Sequence, residues 1–169
     1  MQCLTENEIS HWLRERGIPE DPYHQVPPTS FYLQFFTPPN QSLGTFFRQY
    51  WDLVIGGEAP LVHITDWGLY TESEMIPIMG IRALHAETRW LIDAPGHLLE
   101  THESETVISL MTLTTFFAWS SYLYSPLGHS ILYNWEGEVF DFWTNDAAKM
   151  VMMKRLLADS NLRETTEAK

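Results

Sequence analysis

Three groups of side chains in this sequence have types and spacings that could do chemistry. His63 and Asp66 lie in LVHITD, which reads as a strand over 61–66, and the carboxyl end of such a strand is where α/β folds place ligands. An imidazole beside a carboxylate is the pair general-base catalysis uses, and Glu72, a few residues on, could add a third polar group. Residues three apart on a regular strand point to opposite faces, so His63 and Asp66 meet only if the strand breaks between them. Otherwise they are a core histidine and a turn aspartate. His97, Glu100 and His102, with Glu103 beside them, form the densest set of potential metal ligands, a mixture suited to zinc or a non-haem iron. A helix would set His97 and His102 about 140° apart, from five steps of roughly 100°, and a strand would put them on opposite faces. Only an irregular turn brings both to one ion; the alternative is a solvated acidic entry to a helix. Arg82 and His85 share a helical face and could hold an anion, and Arg89 could stack on the neighbouring Trp90.

Beyond these groups the chain has no phosphate loop, nucleophile elbow, zinc signature or dinucleotide fingerprint. Gly56-Gly57 follows a helix instead of joining a strand to one, so it is a turn and no phosphate cradle. The expectation is therefore no cofactor, and a binding role in preference to catalysis or metal chemistry.

Charge points elsewhere. Ten Lys and Arg against 22 Asp and Glu leave a formal net charge of −12, which opposes binding to nucleic acid backbones or anionic lipid. No apolar run approaches the ~20 residues that cross a bilayer; the nearest, 107–119, is interrupted by Ser109, Thr112, Thr114 and Thr115. The lone Cys3 and an N-terminus without a basic-then-apolar profile indicate a cytoplasmic setting. An acidic surface can complement a basic protein, with exposed aromatics as anchors and charges setting on-rate and partner choice. Trp67, Tyr70, Trp135, Glu136, Glu138 and Trp143 are the expected partner-binding residues, and self-association stays open. In general character, and in no motif, the chain is similar to the small acidic proteins, immunity proteins among them, that neutralise basic toxins. The competing reading is a small-ligand-binding protein or enzyme with a cleft at the end of strand 61–66.

The elements that must position these residues follow from spacing. Thr5 and Glu8 make a capping box for a first helix carrying Ile9, Trp12 and Leu13, stopped at Gly17 and Pro19. Pro22, Pro27 and Pro28 mark a loop. Residues 31–36, apolar at nearly every position, predict a strand at the centre of the sheet. Leu43, Phe46, Phe47, Tyr50, Trp51 and Val54 repeat at helical spacing, so strand 31–36, this helix and strand 61–66 predict a right-handed parallel β-α-β unit. Pro77 predicts that the third helix starts near itself instead of at the Thr71/Glu74 capping box. A short strand is expected at 90–92, a buried helix over 104–117, and a three-stranded meander over 122–143. Its Glu136-Gly137 turn would pair Trp135 with Glu138 and Tyr133 with Phe140. Thr144 or Asn145 caps a last helix. The whole predicts a single α+β domain over 1–158, with about five helices on a mixed sheet of five or six strands and a polar tail over 159–169. Seven Trp, seven Tyr and nine Phe give it ample material for a core.

Overall fold

The first helix opens as its cap requires: Thr5 N donates to Glu8 Oε2 at 2.8 Å and Glu8 N to Thr5 Oγ1 at 3.4 Å. The computed structural model describes residues 1–20, 31–67, 71–127 and 130–165; the loop expected around Pro22, Pro27 and Pro28, and Tyr70, lie outside them. In chain order the elements are β1 (Gln2–Leu4), α1 (Glu6–Glu15), β2 (Phe31–Phe36), α2 (Leu43–Tyr50), β3 (Leu61–Asp66), α3 (Glu72–Leu84), β4 (Gly96–Leu98), α4 (Ser104–Phe116), β5 (Ser120–Ser125), β6 (Ser130–Trp135), β7 (Val139–Thr144) and α5 (Ala147–Asp159). A wider, π-helical turn over Trp51–Ile55 prolongs α2 until Gly56, at φ 63°, stops it. Asp146 caps α5 in place of Thr144 or Asn145, accepting from Ala148 N at 2.8 Å.

The strands form one seven-stranded sheet in the order β1-β4-β3-β5-β6-β7-β2. Every pairing among the described strands is antiparallel. This corrects the expected parallel unit: β2 and β3 run the same way but three strands lie between them. β2 also takes an edge instead of the centre, and its apolar sequence is not a sign of two-sided burial, since Phe31, Tyr32 and Phe36 are exposed. β3 fills the inner place, with its first four residues buried. β1 and β4, three residues each, were not anticipated, and 90–92 is a turn, not a strand. A capping bond from Thr71 N to Glu74 Oε2 at 3.0 Å starts α3 at Glu72, so the helix runs through Pro77 at the loss of one backbone bond. Within the polar tail, Phe36 N donates to the Arg163 carbonyl at 3.2 Å and Thr165 Oγ1 to Gln34 Oε1 at 2.7 Å, laying residues 163–165 along the β2 edge.

Register sorts the side chains into two faces. The partners Cys3, His97, Val62, Leu123, Leu132, Phe142 and Leu33 form one row across all seven strands. From Val62 to Leu33 this row, with Phe35 and Phe140, packs with residues of α2, α3, α4 and α5 in the main core. Complete burial of Phe140 and Phe142 contributes about 2–3 kcal/mol each. The opposite face is covered in part by Ile9, Trp12 and Leu13 of α1, which meet Leu61, Tyr124, Ile131 and Trp143. The meander register differs from expectation by one residue. Glu136 (φ 47°) and Gly137 (φ 71°) do form the tight turn, closed by Glu138 N to Trp135 O at 2.8 Å, but Trp135 pairs with Val139 and Tyr133 with Asp141. Glu138 is the extra residue, and it carries Phe140 and Phe142 to the helix side.

One buried ion pair fastens the end of the sheet that holds the β5–β6 connection. Glu58 takes hydrogen bonds from Ser125 Oγ and from Leu127 N (2.8 Å), and Lys149 Nζ donates to Glu58 Oε1 and to Leu127 O (2.7 Å). Removing one partner of such a pair strands the other charge in the interior. Lys149→Met is therefore expected to lower the urea-unfolding free energy by about 3 kcal/mol, and adding Glu58→Gln to recover at least a third of it. A single-variant loss below about 1 kcal/mol would contradict this role for Lys149.

Candidate functional site

Antiparallel pairing brings the ends of β2, β3 and β6 and the starts of β5 and β7 to one end of the sheet, and this end carries Asp66, Trp135, Glu136 and Glu138 of the residues singled out from sequence. Trp135, Val139 and Phe36 are successive cross-strand partners there, and the Trp135 and Phe36 rings are exposed. Glu136 and Glu138 flank them on the turn, also exposed. The turn is seated on the last turn of α4: a Cβ at Gly137 would lie 2.6 Å from the Thr115 carbonyl oxygen, so only glycine fits. Exposed Phe116 stands at the same helix end, whose dipole adds partial negative charge to that of the two glutamates. Burial raises the pKa of the Tyr133 phenol; a hydrogen bond with Ser120 opposes this, and the charges of Glu136, Asp141 and Asp66 add to it. Trp67 is half-buried against the main core, and Trp143, expected as an anchor, is buried beneath α1 because the one-residue register shift pairs it with Ile131.

The candidate catalytic residues do not assemble as proposed. A bulge falls between Ile64 and Asp66, the break in the strand that a His63–Asp66 contact requires, but the carboxylate that meets His63 is Glu6, with Nε2 to Oε1 at 3.2 Å. Glu6 belongs to the first turn of α1, and its hydrogen bond with His63 is what holds its pKa below the ordinary carboxylate value. The pair ties α1 to β3. Sequence reasoning missed it because 57 residues separate the partners. Glu72 stands exposed in the first turn of α3. A second polar group on this face was also missed: buried Asp141 accepts from Tyr32 Oη at 2.7 Å and from Gln34 Nε2 at 2.9 Å, and burial, then that bond, raises the Tyr32 pKa.

The metal-ligand set separates as well. His97 lies in β4 between β1 and β3, fully buried, while Glu100 and His102 are exposed at the other end of the sheet, 3.4 Å apart as a pair of their own. Among the described residues no three His, Cys, Asp or Glu side chains are grouped to hold a metal ion. His97 Nε2 faces Arg82 Nη1 at 2.9 Å, so it accepts from the guanidinium and carries its proton on Nδ1. Arg82, which the sequence placed with His85 as an anion site, is itself fully buried, on the stripe with Met75 and Ile78. It donates to the carbonyls of Ala94 (2.7 Å), Arg89 (3.0 Å) and Trp90 (3.3 Å). Arg89 is spent on the Glu87 carboxylate and the Cys3 carbonyl. Burial pushes the Cys3 thiol up to about 11, so it is not poised as a thiolate. The signal for Arg82 was present, an arginine on the apolar stripe of a helix.

Compared with known protein families, curated proteins and solved structures, the chain matches none.

Burial, and then the Arg82 charge, pushes the His97 pKa down from 6.5 to about 3. Unfolded His97 takes up a proton near pH 6.5, whereas folded His97 stays neutral until about pH 3, so stability falls as pH falls through that window. The limiting slope is about 1.4 kcal/mol per pH unit. His97→Gln, whose amide oxygen can still accept from Arg82, should flatten the pH dependence of the unfolding free energy by about 1 kcal/mol per unit between about pH 4 and 6. Equal slopes for the two proteins would mean that His97 titrates alike folded and unfolded.

Proposed function

We propose that this protein is an acidic protein-binding module, and that the sheet end bearing Trp135, Glu136 and Glu138 meets a basic partner, neutralising or regulating it. One observation carries the reading: Phe36, Trp135 and Phe116 are exposed at one end of the sheet, and two exposed carboxylates and a helix C-terminus lie at that same end. Exposed rings can supply the desolvated anchors of an interface, and the surrounding acids would steer a cationic surface towards it. The net charge of −12 acts in the same direction at longer range. The dispersal of His63, Asp66, Glu72, His97, Glu100 and His102 leaves the ligand or enzyme reading with less support. Arg163, whose carbonyl accepts from Phe36 N, borders the surface on the β2 side and would limit how far the cationic footprint extends.

The test is capture of partners from the host lysate by wild-type protein, by Glu136→Lys/Glu138→Lys and by Asp66→Asn, at low and high salt. Wild type is expected to retain a basic protein in stoichiometric amount and release it in salt, as screening shortens the reach of surface charge. The double charge reversal should cut retention at least tenfold with an unchanged urea midpoint, and Trp135→Ala should weaken the isolated complex by about 2 kcal/mol. Retention that survives charge reversal would defeat the assignment of this surface. Loss of function only in Asp66→Asn would favour a ligand site at the end of β3.

A further inference from the structure

A second apolar surface lies on the outer side of α3. The helix buries Met75, Ile78 and Arg82, yet its opposite side leaves Ile76 68% and Leu84 85% exposed, and the neighbouring turn leaves Trp90 66% and Ile92 71% exposed. Glu72, Ile76, Met79 and Trp90 line an open groove of about 480 Å³, which continues past Met75 and Trp90 to a depression bounded by Trp67 and Ile92. Between Ile76 and Leu84 the helix presents Gly80, where an added Cβ would meet nothing within 4 Å, and exposed Ala83. Both walls are held in place: the buried Arg82 guanidinium ties the carbonyls of Arg89, Trp90 and Ala94 to α3. The groove is thus preformed, which lowers the ordering cost of filling it.

We infer that this groove docks an amphipathic helix of a basic partner protein, one that presents apolar side chains at three- and four-residue spacing with Lys or Arg beside them. A helix suits the walls better than an extended segment, because the site is bounded by a helix side and a turn and offers no strand edge to pair with. Charge selects the partner. Glu72 lines the groove and exposed Asp93 follows Ile92, whereas Arg82 is buried and Arg89 is engaged with Glu87 and Cys3. A second copy of this chain would bring another −12 against the same rim, so self-association is opposed where a cationic helix is favoured. The inference deepens the binding-module reading and rests on it.

The probe is a fluorescein-labelled synthetic helix of Leu and Lys with leucines at i, i+4 and i+7, titrated by anisotropy beside a matched Leu/Glu peptide. The Leu/Lys peptide should bind wild type at least tenfold more tightly than the Leu/Glu peptide. It should lose at least tenfold on Ile76→Ser/Trp90→Ala and on a second pair, Ile76→Ser/Ile92→Ser, and change less than threefold on Glu136→Lys/Glu138→Lys. Undiminished binding to both groove variants, or equal binding of the two peptides, overturns the inference. So does a wild-type dimer in sedimentation equilibrium that the groove variants dissolve, since the occupant would then be a second copy. The two readings fail separately: unaltered peptide binding by the groove variants removes this site alone, whereas partner capture that survives Glu136→Lys/Glu138→Lys removes the Trp135 surface.

Discussion

Burial of a single row of side chains underlies the rest of the structure. Cys3, His97, Val62, Leu123, Leu132, Phe142 and Leu33 stand in register across seven strands, most of them beneath the helices. Side chains alternate along a strand, so this row also dictates what faces the other way: Leu4, Gly96, His63, Tyr122, Tyr133, Asp141 and Gln34 must share the opposite face. A slip of one residue in any strand would exchange its core and its second face. Gly96 shows how tightly this second row is packed, since a Cβ there would lie 2.7 Å from Ile9 Cγ1 of α1.

Several of the polar groups that enter this framework are matched in pairs or clusters that span the chain. Arg82 shares His97, in the buried row, with the carbonyls of the turn that carries Trp90, so one guanidinium serves both the core and the shape of the α3 groove. Glu58 and Lys149 perform the corresponding task where β5 turns towards β6, and His63 with Glu6 fastens α1 to the second face. These matched groups draw the titratable residues of the interior into structural work. The charges left at the surface are mostly carboxylates, two of them beside the exposed rings of Trp135 and Phe36.

Much of the local structure was legible in the sequence. The Thr5/Glu8 capping box, the Leu43 to Val54 stripe ending at Gly56 and the Glu136-Gly137 turn each depend on residues within one or two turns of each other, and each formed. Failures of the same kind of reasoning have local causes too. Pro77 costs one hydrogen bond, which the Thr71/Glu74 cap offsets, and the extra residue at Glu138 leaves no composition signal, so the register was misplaced by one. Of the candidate site, the Trp135, Glu136 and Glu138 cluster could be read directly because it lies within one hairpin; that Trp143 belongs to the core could not, because its burial depends on α1.

By itself, then, the sequence determined the helices and the cap of the first, most of the strand segments, the meander and the acidic surface, since propensity, periodicity and charge are properties of neighbours along the chain. Only the tertiary structure decided that β2 lies at an edge three strands from β3, that His63 meets Glu6 instead of Asp66, that Arg82 is buried, and that exposed aromatics from β2, α4 and β6 gather at one end. Strand order and partner choice are settled by which side chains can be buried together, and that competition runs over separations such as 57 and 109 residues, where no short-range pattern carries information.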